Sequence, residues 1–250
     1  TAIFNNLGLG TCILNVSPNL SALTVNATFT GIIDLPGNRT LTTTGANTFA
    51  GGTVNSGTGA TLSLNASGVT TFSGTQFNVP VNGSTAGLNF NGSVFNGTVN
   101  LTKTDNATYS GQGGNTFNST LTVTTLGGGE LRFGFTNPDI FSDVTLNING
   151  TGSIIMARNA AGNQFNGNIV INYNSTGSAL FGPNGGTSTL ANTRTISVSC
   201  GASGCRNLTL ANFTQVGLTP QSLMLSGNPN ATLTLGPNST FNAPLTFTSE

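Results

Sequence analysis

The sequence predicts an all-β fold, a right-handed parallel β-helix of about ten coils, on three observations. A phrase recurs along the chain, apolar residues follow its Phe at fixed offsets, and apolar and polar residues alternate with no helix signal. The phrase stands twice at full length, as GNTFNSTLTVTTLGGGELRFG from residue 114 and GNQFNGNIVINYNSTGSALFG from residue 162, 48 positions apart. Shorter copies are GANTFAGGTV, TQFNVPVN, SVFNGTVNLT and NSTFNAPLTF. They set anchors at Phe49, Phe77, Phe95, Phe117, Phe165 and Phe241, with Ile140 or Phe141, Leu190 and Phe213 filling the gaps. Spacings of roughly 18 to 28 residues fit one solenoid coil.

Four and six positions after an anchor come Val99 and Leu101, Leu121 and Val123, Ile169 and Ile171, and Leu245 and Phe247. With Thr, Asn and Val between them, they read as strands with one buried face. A second alternating run is expected in each repeat, as in GATLSLN (Leu62, Leu64), GELRFG (Leu131, Phe133) and NATLTLG (Leu233, Leu235). One such repeat cannot bury its apolar face alone. Stacking lets each strand pair with its equivalent in the next coil, so 48 residues is two coils. Asn and Gly belong at the corners, where they tolerate left-handed dihedrals. Asn78, Asn96, Asn118, Asn166 and Asn242, each following an anchor, should stack into an amide ladder. A β-sandwich is disfavoured because it has no need of an in-register phrase.

Composition narrows the function. The chain has 250 residues with six Lys plus Arg, six Asp plus Glu, no His and 5% charge, against about 25% in ordinary domains. Its wealth of β-branched and aromatic residues argues for a folded chain. The scattered cations Arg39, Lys103, Arg132, Arg158, Arg194 and Arg206 form no basic stripe, so nucleic acid is not an expected partner. No apolar run has the length of a membrane span. Both ends read as mid-pattern, so residues 1–250 are expected to be a single β-helix segment of a longer exported chain.

Three cysteines and no His exclude a four-ligand zinc site. Cys200 and Cys205 flank a Gly-rich segment that can bring their sulfurs together; an exported chain favours a disulfide, with reduced thiols as the alternative. Cys12 reads as a small buried hydrophobe, or as a partner for another copy. Asn-X-Ser/Thr triplets, including Asn15, Asn65, Asn106 and Asn207, read as turn chemistry rather than glycan acceptors.

The acids Asp34, Asp105, Glu130, Asp139, Asp143 and Glu250 are dispersed. Asp139 and Asp143, beside Arg132 and Arg158, suggest a corner ion pair rather than the facing carboxylates of glycoside hydrolysis. No catalytic residue, metal ligand or cofactor is expected. Thr-rich runs raise an ice-binding reading, weakened by Asn, Lys103 and Arg132 interrupting the ranks. Ile154 and Met156 are expected as outward apolar groups on an otherwise Thr, Ser and Asn surface.

The strings GNTFNSTLTVT, GNQFNGNIVINYNSTGSALFG, TSTLANTRTISVSCGASGCRNLTLANFTQVGLTPQSLMLSGN and ATLTLGPNSTFNAPLTFTS resemble tandem modules of very large cell-surface adhesins in gliding and predatory Bacteroidota. The resemblance spans most of residues 93 to 250. LTTTGANTFAGGTVNSGTGATLSL is similar to the β-helix repeats of autotransporter passengers. The resemblance implies type IX secretion, an extracellular location at the bacterial cell surface, and long fibres acting in adhesion, gliding or prey capture. It brings no catalytic residues, and the resemblance does not extend to the Cys200/Cys205 pair. The expected function is a structural and adhesive repeat, with identical chains side by side in a filament and adjacent modules end to end. The alternatives are a polysaccharide-acting β-helix enzyme and a carbohydrate- or ice-binding module.

Overall fold

The computed structural model describes residues 1–5 and 10–249, and these form a parallel β-solenoid with no helix. Strands stack in an 11-stranded sheet (the anchor sheet), a 12-stranded sheet (the broad sheet) and a 6-stranded sheet (the closing sheet). The 11 strands of the anchor sheet correspond to as many turns. One coil runs through Thr116–Phe117 in the anchor sheet, Leu121–Thr125 in the broad sheet and Leu131–Arg132 in the closing sheet. The chain then re-enters the anchor sheet at Ile140–Phe141. Alternation sets the faces: Leu121, Val123 and Thr125 are buried, while Thr122 and Thr124 point out.

The anchors share one register slot. Val54, Phe77, Phe95, Phe117, Phe141, Phe165, Leu190, Gln215 and Phe241 are successive partners in the anchor sheet. Phe117 and Phe165 lie two coils apart, with Phe141 between them. The rings of Phe77, Phe95, Phe117, Phe141 and Phe165 stack at 4.9, 4.9, 5.3 and 5.0 Å between centroids. A second stack, Phe49, Phe72, Phe90 and Phe133, meets the first edge-on, a geometry aromatic quadrupoles favour. A single apolar cluster runs from Leu23 to Ala231.

Some anchors fall elsewhere than the phrase predicts. Phe49 sits in the second stack, paired with Val25 and Phe72, and the anchor slot of its coil belongs to Val54. Phe213 lies two positions before its slot, which Gln215 fills, fully buried. Between Ile140 and Phe141, Phe141 is the inward residue. Leu62 and Leu64 belong to the broad sheet rather than to a second run. Ile154 and Met156 are completely buried, not outward, because strand parity puts them in the inward slots of Leu131, Ala179 and Phe181, and Ile155 is the residue between them on the other face.

The early coils turn fewer corners than the later ones. The long strands Thr61–Ser73 and Val81–Asn91 pass from the broad sheet directly alongside Asn47–Phe49, with a register shift between Thr85 and Gly87. The closing sheet begins at Tyr109–Ser110. Gly87 makes this possible, since any Cβ there would fall within the Tyr109 ring. At the other end the broad sheet breaks after Ile196–Cys200, and Gln221–Leu225 pairs only with Leu245–Ser249. Gln221 bridges the break with its side chain, accepting from the Ile196 N–H at 2.8 Å and donating to the Arg194 carbonyl at 3.0 Å.

Candidate functional site

The outer face of the broad sheet is the largest regular surface the fold builds. Its eight strands from Thr40–Thr43 to Ile196–Cys200 stay in register. Two outward files result. One holds Thr42, Ser63, Asn82, Asn100, Thr122, Thr145, Val170 and Ser197, the other Asn65, Ser84, Thr102, Thr124, Asn147, Asn172 and Ser199. Neither file carries a charge. Of the expected interruptions of the Thr ranks, Asn is present, at Asn65, Asn82, Asn100, Asn147 and Asn172, but the two cations lie elsewhere: Lys103 points into the core with no exposure, and Arg132 stands on the closing sheet. Side chains brace one another along the axis, Asn172 donating to the Asn147 side-chain Oδ1 at 2.8 Å and Asn147 to the Thr124 hydroxyl at 3.2 Å.

Beneath the anchors runs a polar column. Thr75, Ser93, Asn115, Asp139, Asn163 and Ser188 each stand two residues before an anchor, and all are buried. Each backbone N–H from Thr75 to Asp139 donates to the side-chain oxygen of the next coil's member, at 3.3, 3.0, 2.8 and 2.8 Å. The column satisfies backbone donors that the turn into each anchor strand leaves without a ladder partner. Asp139 accepts from the Asn115 N–H and amide and from the Gly134 N–H, each at 2.8 Å, and has no cation beside it. Burial outweighs these donors and pushes its carboxyl up to about 6.

The charged side chains pair locally, and not as the spacing of Asp139 and Asp143 implied. Glu130 takes Arg132, with Nε at 2.7 Å, and Arg158 of the next coil at 3.8 Å. Asp143 accepts from the Asn168 N–H at 2.7 Å. Lys103 lies fully buried with Nζ 3.1 Å from the Asp105 carboxylate and 2.7 Å from the Asp105 carbonyl oxygen, under the Tyr109 ring. Burial, then the hydrogen bond to Asp105 and its charge, push the Tyr109 hydroxyl up to about 12.

The Asn that follow the anchors divide. Asn118 donates to Asn96 at 2.6 Å, Asn96 to Asn78 at 2.6 Å and Asn78 to Asn55 at 2.7 Å, a continuous amide ladder. Ser142 ends it. Asn166 stands between Ser142 and Ala191, and Asn242 donates to the Val216 carbonyl at 3.0 Å, so neither has an amide neighbour. Cys200 and Cys205 form a disulfide across a Cα separation of 4.8 Å. Cys200 occupies the slot of Lys103 and Tyr173, so the bridge closes the corner at the break in the broad sheet. Cys12 is free and half-buried, in register with Ile33.

Among the described residues no cluster of three or more His, Cys, Asp or Glu is arranged to hold a metal, and no helix is long and apolar enough to cross a membrane. A surface depression of about 430 Å³ lies among Asn192, Thr193, Val216, Gly217, Leu218 and Thr219, with no titratable group in its lining. Comparison with protein-family models, with curated proteins and with solved structures gives no match for this chain.

Proposed function

We propose that the chain is a non-catalytic structural and adhesive repeat of an extracellular fibre on a bacterial surface, serving attachment, gliding or prey capture. The observation that carries this reading is the unbroken stack of 11 parallel strands in the anchor sheet, sheathed by a broad face without charge. At about 4.8 Å per coil the turns make a rod roughly 50 Å long. Pulling it apart along its axis means breaking backbone ladders and ring stacks rung by rung, which suits a load-bearing element. Within the fibre, identical chains lie side by side and further modules follow end to end.

Negative-stain imaging of the native particle should show long uniform fibres; a compact globule would defeat the proposal. A screen of pectins, alginates and glycosaminoglycans should give no turnover. The rival enzyme reading would instead require metal-dependent cleavage that disappears in Asp143→Asn, since Asp143 lies at an exposed corner, whereas Asp139 is sealed inside.

A further inference from the structure

We infer that the outer face of the broad sheet is where the side-by-side chains meet, and that what covers it is the same face of a second copy of this chain. The inference rests on the fibre reading and names the surface it would use. Exposed β surfaces are ordinarily kept apart by charge. Here the eight broad strands carry no outward charge at all, and the other nearly neutral face, that of the anchor sheet with Asp34 as its one outward charge, is built of strands of only two to four residues and is narrower. Arg39, Asp143 and Arg194 stand just before its strands, Arg132 and Arg158 on and beside the closing sheet, and Lys103 is turned inward.

Periodicity selects the occupant. The hydroxyl and amide groups repeat at the strand spacing of about 4.8 Å and, along each strand, at about 6.6 Å. Another copy of the same eight strands presents both repeats, with groups that donate and accept alike, and brings no like charge against like. The size is sufficient as well. Eight strands of about five residues cover roughly 38 by 17 Å, or about 650 Å² per partner, which reaches the standard range for a specific protein pair. The single apolar member, Val170, is flanked by Thr145 and Ser197, so the contact is polar and each rung adds a small increment that the array multiplies.

Ice also presents an ordered neutral lattice, but both outward residues are Thr only in the rungs Thr40–Thr43 and Leu121–Thr125, which are not neighbours in the sheet. The other rungs mix Asn, Ser and Val, and bulky amides spoil a flat match to ice while suiting mutual hydrogen bonding.

Sedimentation velocity on the 250-residue chain tests this. The expected result is association to a multiple of 25.2 kDa, with Thr102→Lys/Thr145→Lys weakening it at least tenfold and Thr116→Lys/Gln164→Lys, outward on the anchor sheet, leaving it unchanged. Unaltered thermal melts confirm that each pair folds. A parent that stays monomeric at tens of micromolar overturns the inference. So does association that ignores the first pair and responds to the second, and so does ice shaping by a monomer. Dimers through this face in a native particle that images as a globule would support the inference and sink the fibre reading; fibres whose association maps elsewhere would do the reverse.

Discussion

Phe117→Ala should lower the unfolding free energy by about 3–5 kcal/mol, the range for truncating a buried aromatic. Phe117 is 1% exposed and stacked between Phe95 at 4.9 Å and Phe141 at 5.3 Å, with Phe90 and Phe133 edge-on at 5.7 and 6.4 Å. The cavity has little means to close. The rungs above and below are held at the strand spacing by parallel pairing of Thr116–Phe117 on both sides, so the neighbouring rings cannot approach each other. The upper half of the range is therefore expected. Phe241, half-buried in the last anchor strand, should cost about 1 kcal/mol when truncated, because only one side of its ring is covered by a further coil. Urea unfolding of both variants measures the contrast, and a loss below about 1 kcal/mol at Phe117 would contradict the stacked-anchor account. A charge at the adjoining inward position, Leu121→Asp, should prevent folding at ordinary temperature, since no cation lies in that part of the core to receive it.

The coil was legible in the sequence because two periodicities coincide there. The Phe-Asn phrase marks the anchor strand, and the inward pair that follows marks the broad strand; for Phe95, Phe117 and Phe165 the two agree, and the register is as the spacing implies. Where only the phrase was present it misled. GANTF at Phe49 has the local look of an anchor, yet the strands of its coil join without a corner, and the slot goes to Val54. The turn lengths also vary: Phe141 reaches its broad strand at Val144, one residue sooner than Phe117 reaches Leu121. Offsets counted along the chain cannot anticipate such slippage, whereas hydrogen bonding across coils corrects it.

The polar column was written in the sequence as well, in TQF, SVF, NTF, DIF, NQF and STL, the six successive anchors from Phe77 to Leu190, each with a polar residue two positions before it. Alternation alone places that residue inward beside the anchor. The expectation that buried slots are apolar concealed it, although the turn into each anchor strand has backbone donors to satisfy. The same expectation put Lys103 outside. Its slot, shared with Thr85, Thr125, Ile148 and Tyr173, is inward by strand parity, and the nearby Asp105 makes a buried ammonium tolerable. The charge-free broad face followed only once Lys103 had been turned in, which is why composition signalled a bland surface without saying where it was blandest.

Asp139 should make the protein more stable in mild acid than at neutral pH. Its carboxyl, at about 6 in the fold and near 3.9 in an unfolded chain, holds a proton in the folded state that the unfolded state has already released. Between those two values the folded chain binds more protons, so stability falls as pH rises from about 4 to about 6 and is level beyond that. The gap corresponds to roughly 3 kcal/mol. The cause is position: Asp139 is completely buried in the middle of the polar column, flanked by Asn115 and Asn163, and the nearest acid–base network, Glu130 with Arg132 and Arg158, spends its charge on itself. Asp139→Asn should remove this dependence. It keeps the shape that Asn115 and Asn163 show the column accepts, at the cost of turning an amide N–H toward the Gly134 N–H. Melting temperatures across pH 4 to 7 decide the matter. The parent should melt higher at pH 5 than at pH 7, and Asp139→Asn should show a nearly flat profile. A parent that gains stability toward neutral pH would mean that the three N–H donors hold the carboxylate ionised despite its burial.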